Sequence, residues 1–338
     1  MTIRPKLETV AKEANVSTAT ASQVMRGTGR ISQKTRKRVL EAAQKLHYVP
    51  DSRAAAMRSG QSREIGFTIN QISNPFNAEV ISGVSDLLES EGYLVSVLDA
   101  RDDPVRQDRH LDAFIRNRRA GLIWVPALDT PDAAVDLLTT HRIPTVTFLR
   151  HRNAGRFDHV GIRNQEATRA ATNHLADLGH RHIAYLGGVG LNPVRTQRIE
   201  GYKQIMAERD LPAPIIWESR DNKMNGLDAL MALRDRHPNT TAIVCNGDTV
   251  ALGACLALAR SDLVPGKDMS VIGFDDIPES AVSTPPLTTM AVSPYQLGRR
   301  LARLLLDRIH EPDTPVTVSE ISAELIVRKT TGPAPGVK

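Results

Sequence analysis

Cysteine and aromatic residues are scarce in this 338-residue chain, and no stretch approaches the uninterrupted apolar length that a bilayer demands. The two cysteines, Cys245 and Cys255, lie in an apolar helical context at a spacing that matches neither a zinc site nor a redox pair, so both are expected as buried thiols. Aromatics make up 4% of residues, which limits the side chains available to stack on a ligand. A membrane helix needs about 18 consecutive apolar residues. The opening MTIRPKLETVAKEA also lacks the apolar run of an export signal, so a cytoplasmic protein is expected. Walker A, paired-histidine metal and nucleophile-elbow motifs are absent. GGVGLN looks like a dinucleotide-binding turn, but Pro193 takes the third glycine position and no suitably placed acid follows. His174, His180 and His182 crowd one segment at a spacing that fits no common ligand set. No catalytic residue, metal or cofactor is therefore expected, and the chain does not read as an enzyme.

What is present begins with charge. Residues 1–60 carry twelve Lys or Arg against four acids, whereas the whole chain is only +5, so everything after residue 60 is net acidic. A basic end of this kind is the footprint of nucleic-acid binding, because neutralised phosphates release their counterions. It is equally the footprint of a solvated basic face. A hydrophobic content of 41% supports a packed core, and the length suits a small module followed by a larger one.

From Glu64 onward short β-branched runs alternate with segments of helical period. Strands are expected at 65–70, 93–98, 121–125, 145–149, 182–186, 242–245 and 270–274, with helices at 76–90, 106–118, 165–178, 195–209, 225–236, 249–259 and 294–309. Such alternation predicts an α/β fold with parallel sheets wound on both faces. The run is too long for one sheet of usual size, so two similar lobes are expected, with the crossing at the charged segment Arg152–Asp158. The closing GPAPGVK reads as a disordered tail over 331–338, and it carries no leucine heptads that would assemble a tetramer.

Residues 7–48 read as three short helices. Leu7, Val10, Ala11 and Ala14 form one apolar stripe, Asn15 permits a tight left-handed turn, and Ser17 is a good N-cap. In the second helix Ala21 and Val24 face inward, which leaves Thr18, Ala19, Thr20, Ser22 and Gln23 outward. Side chains of that size and polarity reach base edges in a major groove. Ser32 caps a third helix with Val39, Ala42, Ala43 and Leu46 inward and Lys34–Arg38 outward.

The segment LETVAKEANVSTATASQVMRGTGRISQKTRKRVLEAAQKLHYVPDSRAAAMRSGQS resembles, almost without gaps, the N-terminal signature of the lactose/purine repressor family of bacterial transcriptional regulators. The resemblance continues through IGFTINQISNPFNAEVISGV, HLADLGHRHIAYLGG, RIEGY, GDTVALGACLAL, DMSVIGFDDIPESAVSTPPLTTM and LGRRLARLL, and so spans nearly the whole chain. VSTATASQVMRGTGRIS and the RSGQS junction look most like the maltose-regulon repressor type, which favours sugars.

The resemblance implies a helix-turn-helix domain over 1–50, a hinge helix and linker over 51–62, and a two-lobed core over 63–330 resembling periplasmic binding proteins. The N-lobe is expected at about 63–158 plus 292–318 and the C-lobe at about 159–290 plus 319–330. It further implies a homodimer on a pseudo-palindromic double-stranded operator, most simply as a repressor, with activation left open. Thr18, Ala19 and Gln23 take base-reading positions, where Gln in place of the arginine of the best-known members favours adenine over guanine. Lys6, Ser17, Thr20, Arg30, Ser32 and Thr35 match positions that hold phosphates or nearby bases. Ala54, Met57 and Arg58 fall in the hinge, with Met57 where a leucine wedge opens the central base step.

A cleft between the lobes at the carboxyl ends of the strands is the expected ligand site. The resemblance puts Arg198 of RIEGY and Asp275 of GFDD there, a donor fork and an acceptor suited to a mono- or disaccharide. Further candidates are Asn70, Phe76, Trp124, Arg150, Asn192, Trp217 and Asp248. The three aromatics are equally readable as core. The glycine in Asn246-Gly247-Asp248 interrupts the family's Asn-Asp pair and leaves the Asn contact open. Arg150, where several members carry an acid, keeps a sugar acid or sugar phosphate in play. A sugar-binding protein without DNA would share the lobes, but not the N-terminal module or the absent export signal.

Overall fold

The structure is a computed structural model that describes residues 5–50, 62–150 and 155–336. The chain separates into two compact units, Met1–Ser62 and Arg63–Lys338.

In the first unit α1 (Leu7–Glu13), α2 (Thr18–Met25) and α3 (Gln33–Lys45) enclose Val10, Ala11, Ala14, Ala21, Val24, Val39, Ala42 and Ala43. The small core works because the helix starts are fixed by side chains. Ser17 accepts the N–H of Thr20 at 3.1 Å and Ser32 that of Thr35 at 3.2 Å, satisfying donors that the first turn leaves unpaired. Asn15 turns the chain between α1 and α2 at a φ of 48°.

The second unit holds two six-stranded sheets. In chain order the elements are β1 (Glu64–Ile69), α4 (Pro75–Ser90), β2 (Leu94–Asp99), α5 (Pro104–Arg116), β3 (Gly121–Trp124), α6 (Asp132–Thr140), β4 (Thr145–Phe148), β5 (Asp158–Ile162), α7 (Asn164–Asp177), β6 (Ile183–Leu186) and α8 (Pro193–Glu208). Then follow β7 (Ile215–Trp217), α9 (Lys223–Arg236), β8 (Ala242–Cys245), α10 (Asp248–Arg260), β9 (Ser270–Asp275), α11 (Pro278–Val282), β10 (Thr288–Ala291), α12 (Pro294–His310), β11 (Val318–Ile321) and β12 (Glu324–Ile326). The N-lobe sheet runs β11-β5-β4-β3-β1-β2 and is parallel throughout; the C-lobe sheet runs β12-β10-β9-β8-β6-β7, with β12 alone antiparallel. Strands buried on both faces carry the continuous apolar runs that such sheets require. Gly83 of α4 and Gly298 of α12 let those helices touch, since a Cβ on either would meet a backbone oxygen at 2.0 or 2.1 Å.

Three expectations are corrected. The crossing between lobes follows Ile162, because Asp158 begins a strand paired with β4. Asp158 looks like linker in sequence, yet it is buried and held by Arg308, Nε to Oδ2 at 2.8 Å and Nη2 to Oδ1 at 2.9 Å, and by the N–H of Thr317 at 2.7 Å. The C-lobe share of the last segment starts later than 319, since β11 pairs with β5. The expected disordered tail is ordered through Gly336: Ala334 is buried and donates its N–H to Leu178 O at 2.9 Å, and Gly332 O faces His180. Among the described residues no helix is long and apolar enough to cross a membrane.

Candidate DNA-reading face and ligand cleft

On the first unit Thr18 and Ala19 are exposed, and Thr20, Ser22 and Gln23 are half-buried on the same outward side of α2, opposite Ala21 and Val24. Gln23 lies over Gly29, where a Cβ would meet its Oε1 at 2.9 Å, so the glycine of the following turn makes room for that amide. Lys6 and Arg30 are exposed and flank the helix in sequence; Ser32 and Thr35 sit at the start of α3, joined by a 2.9 Å hydroxyl contact. Ala54, Met57 and Arg58 lie outside the described residues.

The second unit contains a cleft of about 380 Å³ bounded by both lobes. Its walls come from the carboxyl ends of strands: Asn70 and Gln71 follow β1, Asp102 follows β2, Arg150 follows β4, Asn246 follows β8 and Asp275 ends β9. Two Asn-Pro helix starts bring in further groups. Asn74 and Asn192 cap α4 and α8, accepting from Phe76 N at 3.1 Å and Val194 N at 3.0 Å, and both line the cleft.

Arg198 is fixed on three sides. Its Nε donates to Asn164 Oδ1 at 2.9 Å, its Nη1 donates to the carbonyl of Asn246, and its guanidinium lies 3.5 Å from the centroid of the Phe274 ring. Its Nη2 is 4.0 Å from Asp275 Oδ1. Burial pushes the Asp275 carboxyl well above the usual carboxylate range, and the Arg198 charge opposes that rise. Arg150 also lines the cleft, but its charge is matched: Asp102 takes it in a two-pronged pair, Nη2 to Oδ2 at 3.0 Å and Nη1 to Oδ1, and Nη1 also donates to Pro126 O at 3.2 Å. Asn70 donates to the carbonyls of Val125 and Pro126, both at 3.3 Å, which leaves its Oδ1 buried without a partner. Phe76 stacks on Phe148 with centroids 6.1 Å apart, so the cleft receives only one side of its ring.

Three sequence candidates stand elsewhere. Trp124 is fully buried beside Leu111, Phe114 and Leu122, with its Nε1 spent on Gln107 Oε1 at 3.0 Å. Trp217 ends the edge strand β7 and meets His237 edge-on at 6.1 Å. Asp248 is fully buried and gives its carboxylate to three donors of its own lobe. None of the three lines the cleft.

Sequence reasoning also missed Asp221 and left Asn246 open. Tyr185 donates to Asn246 Oδ1 at 2.6 Å, Asn246 Nδ2 donates to Asp221 Oδ2 at 2.9 Å, and Gly188 N donates to Asp221 Oδ1 at 3.2 Å. Burial raises the Asp221 carboxyl, opposed by the Asn246 bond and by Arg198. The signal available in sequence was only an acid preceding a predicted helix.

Residues 6–51 match the family described as bacterial regulatory proteins, lacI family, and residues 172–331 match the periplasmic binding protein-like domain. The HTH-type transcriptional repressor PurR of Actinobacillus pleuropneumoniae serotype 3 (strain JL03) is 32% identical over 335 residues, covering 96% of this chain and 97% of that one. That of Haemophilus influenzae (strain PittEE) is 32% identical over 330 residues, 96% of this chain and 98% of the other. Among solved structures, the lac repressor dimer bound to operator and the anti-inducer ONPF superposes with a TM-score of 0.84 at 26% identity, covering 98% of this chain and 100% of that one. The transcriptional regulator CelR–cellobiose complex does so with a TM-score of 0.73 at 26% identity, covering 97% and 100%. With a parallel two-lobed core, a capped three-helix unit and identity along almost its whole length, the chain belongs to the lacI family of bacterial regulatory proteins and is a DNA-binding transcriptional regulator.

Proposed function

We propose that the chain is a repressor whose operator affinity is set by a neutral mono- or disaccharide held in the inter-lobe cleft. The observation that carries this is the pairing of Arg198 Nη2, which has no hydrogen bond within the described residues, with Asp275 Oδ1 at 4.0 Å. One unspent donor beside one unspent acceptor suits a pair of hydroxyls, each of which both gives and takes a hydrogen bond. The internal pairing of Arg150 with Asp102 removes a cation that an anionic ligand would seek. A cleft of this volume falls in the range of small-molecule sites. A cellobiose complex and a ribose complex are among the structural neighbours.

The N-terminal unit serves as the operator-binding domain over 1–50, joined through 51–62 to the ligand-binding core. Thr18, Ala19 and Gln23 read bases with Ser22 within reach of base edges, while Lys6, Ser17, Thr20, Arg30, Ser32 and Thr35 hold phosphates or nearby bases and set register. One recognition helix reads few bases, so the working species is a homodimer on a pseudo-palindrome, with Ala54, Met57 and Arg58 of each copy meeting the central minor groove. The ligand shifts operator affinity only through its differential affinity for the two states, and the coupling is reciprocal.

A second reading, a sugar acid or sugar phosphate, is favoured by Arg220, which is exposed at the cleft and has no ion pair among the described residues. A thermal-shift screen of neutral sugars against sugar acids and sugar phosphates separates the two, because a ligand at 100 times its dissociation constant stabilises by about 2.7 kcal/mol. A shift only with anionic sugars overturns the first reading. No shift with either class overturns both. Gel shifts on the gene's own upstream region, with and without the active sugar, then assign release or retention of operator.

A further inference from the structure

Asp248 opens α10 with its side chain fully enclosed and does not line the cleft. Its carboxylate nevertheless gathers donors from separate segments. Oδ2 accepts the N–H of Ile277 at 2.9 Å and the hydroxyl of Ser280 at 2.7 Å, and Oδ1 accepts the hydroxyl of Thr289 at 2.6 Å. Gly273 makes the room: a Cβ there would lie 2.1 Å from Oδ1. Burial pushes the Asp248 carboxyl up to about 6, and the hydrogen bonds from Thr289, Ser280 and Ile277 oppose that rise.

Just before Ile277 the backbone adopts a rare conformation. Asp275 has a φ of 114° and Asp276 a φ of 57°, two successive side-chain-bearing residues in territory that favours glycine. Residues held there persist only where their surroundings over-determine them. This turn carries the chain out of β9 and sets the Asp275 carboxyl at the cleft, 4.0 Å from Arg198. It is clamped on its far side. Asp248 holds the Ile277 amide, and Arg328 Nη1 lies 2.7 Å from Asp276 Oδ1, at an angle that makes it a charge contact rather than a hydrogen bond.

We infer that Asp248 is a positioning residue of the ligand site: it holds the Asp275–Asp276 turn in the strained conformation that presents Asp275 to the ligand, without touching the ligand itself. The inference rests on the reading of the cleft as the effector site. Asp248 is far more than a helix-start residue in this view, since the segment it restrains belongs to the next strand and helix.

Asp248→Asn keeps the shape but replaces one of the two acceptor oxygens with an NH2 group, so that either the Ile277 N–H and Ser280 hydroxyl or the Thr289 hydroxyl lose their acceptor. A crystal structure of this variant without ligand tests the geometry independently of any sugar: the Asp275 φ is expected to leave the positive region and its carboxyl to withdraw from Arg198. Calorimetric titration with cellobiose and with ribose tests the consequence. The variant is expected to bind at least tenfold more weakly than wild type, with operator affinity unchanged within twofold. An unmoved Asp275 in the variant crystal overturns the inference, because a merely structural role for Asp248 leaves that turn in place. Should neither sugar bind wild type, the crystal structure alone decides the positioning role, and the screen of sugars decides the reading of the cleft. Should Asp248→Asn fail to fold, Ser280→Ala, which removes one of the three donors, is expected to shift the same turn and weaken binding about threefold, and an unshifted turn in that variant overturns the inference.

Discussion

Gln71 Nε2 donates to the main-chain carbonyl of Asp221 at 3.1 Å, tying the loop after β1 in one lobe to the loop before α9 in the other. The acceptor is well placed because the Asp221 side chain is itself anchored by Gly188 and Asn246. Both residues line the cleft, so the bond joins the lobes beside the ligand site and stabilises the arrangement of lobes seen here. A hydrogen bond of this kind contributes about 0.5–1.5 kcal/mol net, or roughly 2- to 13-fold in an equilibrium. Gln71→Ala is therefore expected to speed ligand dissociation by a factor in that range, read by stopped-flow, and to increase amide hydrogen exchange in both loops. An unchanged dissociation rate would show that this bond does not restrain the ligand's exit.

Arg198→Ala and Asp275→Asn are expected to abolish the ligand response while operator binding without ligand stays within about twofold. Both side chains belong to the second compact unit, whereas the proposed base-reading residues belong to the first. Loss of a hydrogen bond to a charged group costs about 1.5–3 kcal/mol, which puts ligand affinity down at least tenfold. Arg198→Lys should rescue poorly, because a single ammonium cannot serve Asn164, Asn246 and the ligand with the planar geometry of a guanidinium. Calorimetry on all three variants checks this, and wild-type affinity in any of the first two would displace the site.

At the operator, Gln23→Ala and Arg30→Ala are expected to fail differently. Gln23, on the outward side of α2, should lose discrimination at one base pair per half-site by about 1–3 kcal/mol. Arg30, exposed beyond the glycine turn, should weaken binding to every sequence and reduce the salt slope by about one. Binding curves for a panel of single-base operator variants at several salt concentrations separate the two. Equal, sequence-selective losses in both variants would reverse the assignment.

How legible each part was in sequence follows the range of the interactions that fix it. The first unit was readable because its determinants are local: Ser17 and Ser32 cap helices three residues ahead, and Val10, Ala21 and Val39 follow helical spacing. Arg198 and Asp275 were found only through their motifs, since nothing local says that a side chain faces a cleft. Trp124 and Asp248 had suitable chemistry but point into the core, a direction set by strand and helix placement rather than residue type. Asp158, the first residue of β5, was read into the crossing because the partner that neutralises it, Arg308, lies 150 residues away. Asp221 was invisible for the same reason, its partner Asn246 being 25 residues on and its contact Gln71 150 residues back.

His180 ties the ordered end of the chain to the C-lobe, and its titration should show in stability. Its Nε2 is 3.0 Å from Gly332 O, which only accepts, so Nε2 carries the proton and Nδ1 accepts from the Thr241 hydroxyl at 2.9 Å. Ser270 Oγ completes the ring at 2.9 Å from Nε2 and also takes the N–H of Gly332 at 3.1 Å. The neutral imidazole is thus satisfied where it stands. Burial holds its pKa below the usual value of 6.5, the Gly332 carbonyl opposing and nearby His174 adding to the fall. The folded state therefore binds protons less readily than the unfolded chain. The stability from this neutral histidine is fully present above about pH 6.5 and is lost as pH falls through the depressed folded value. Scanning calorimetry between pH 7.5 and pH 5 should show a falling midpoint for wild type. His180→Gln, which keeps a donor and an acceptor without a titrating group, should start lower at pH 7.5 but lose less on acidification. Some slope should survive, because His174 is also shifted down by burial and is 3.2 Å from Thr331 of the same segment. An identical slope in both proteins would assign the acid sensitivity to other groups.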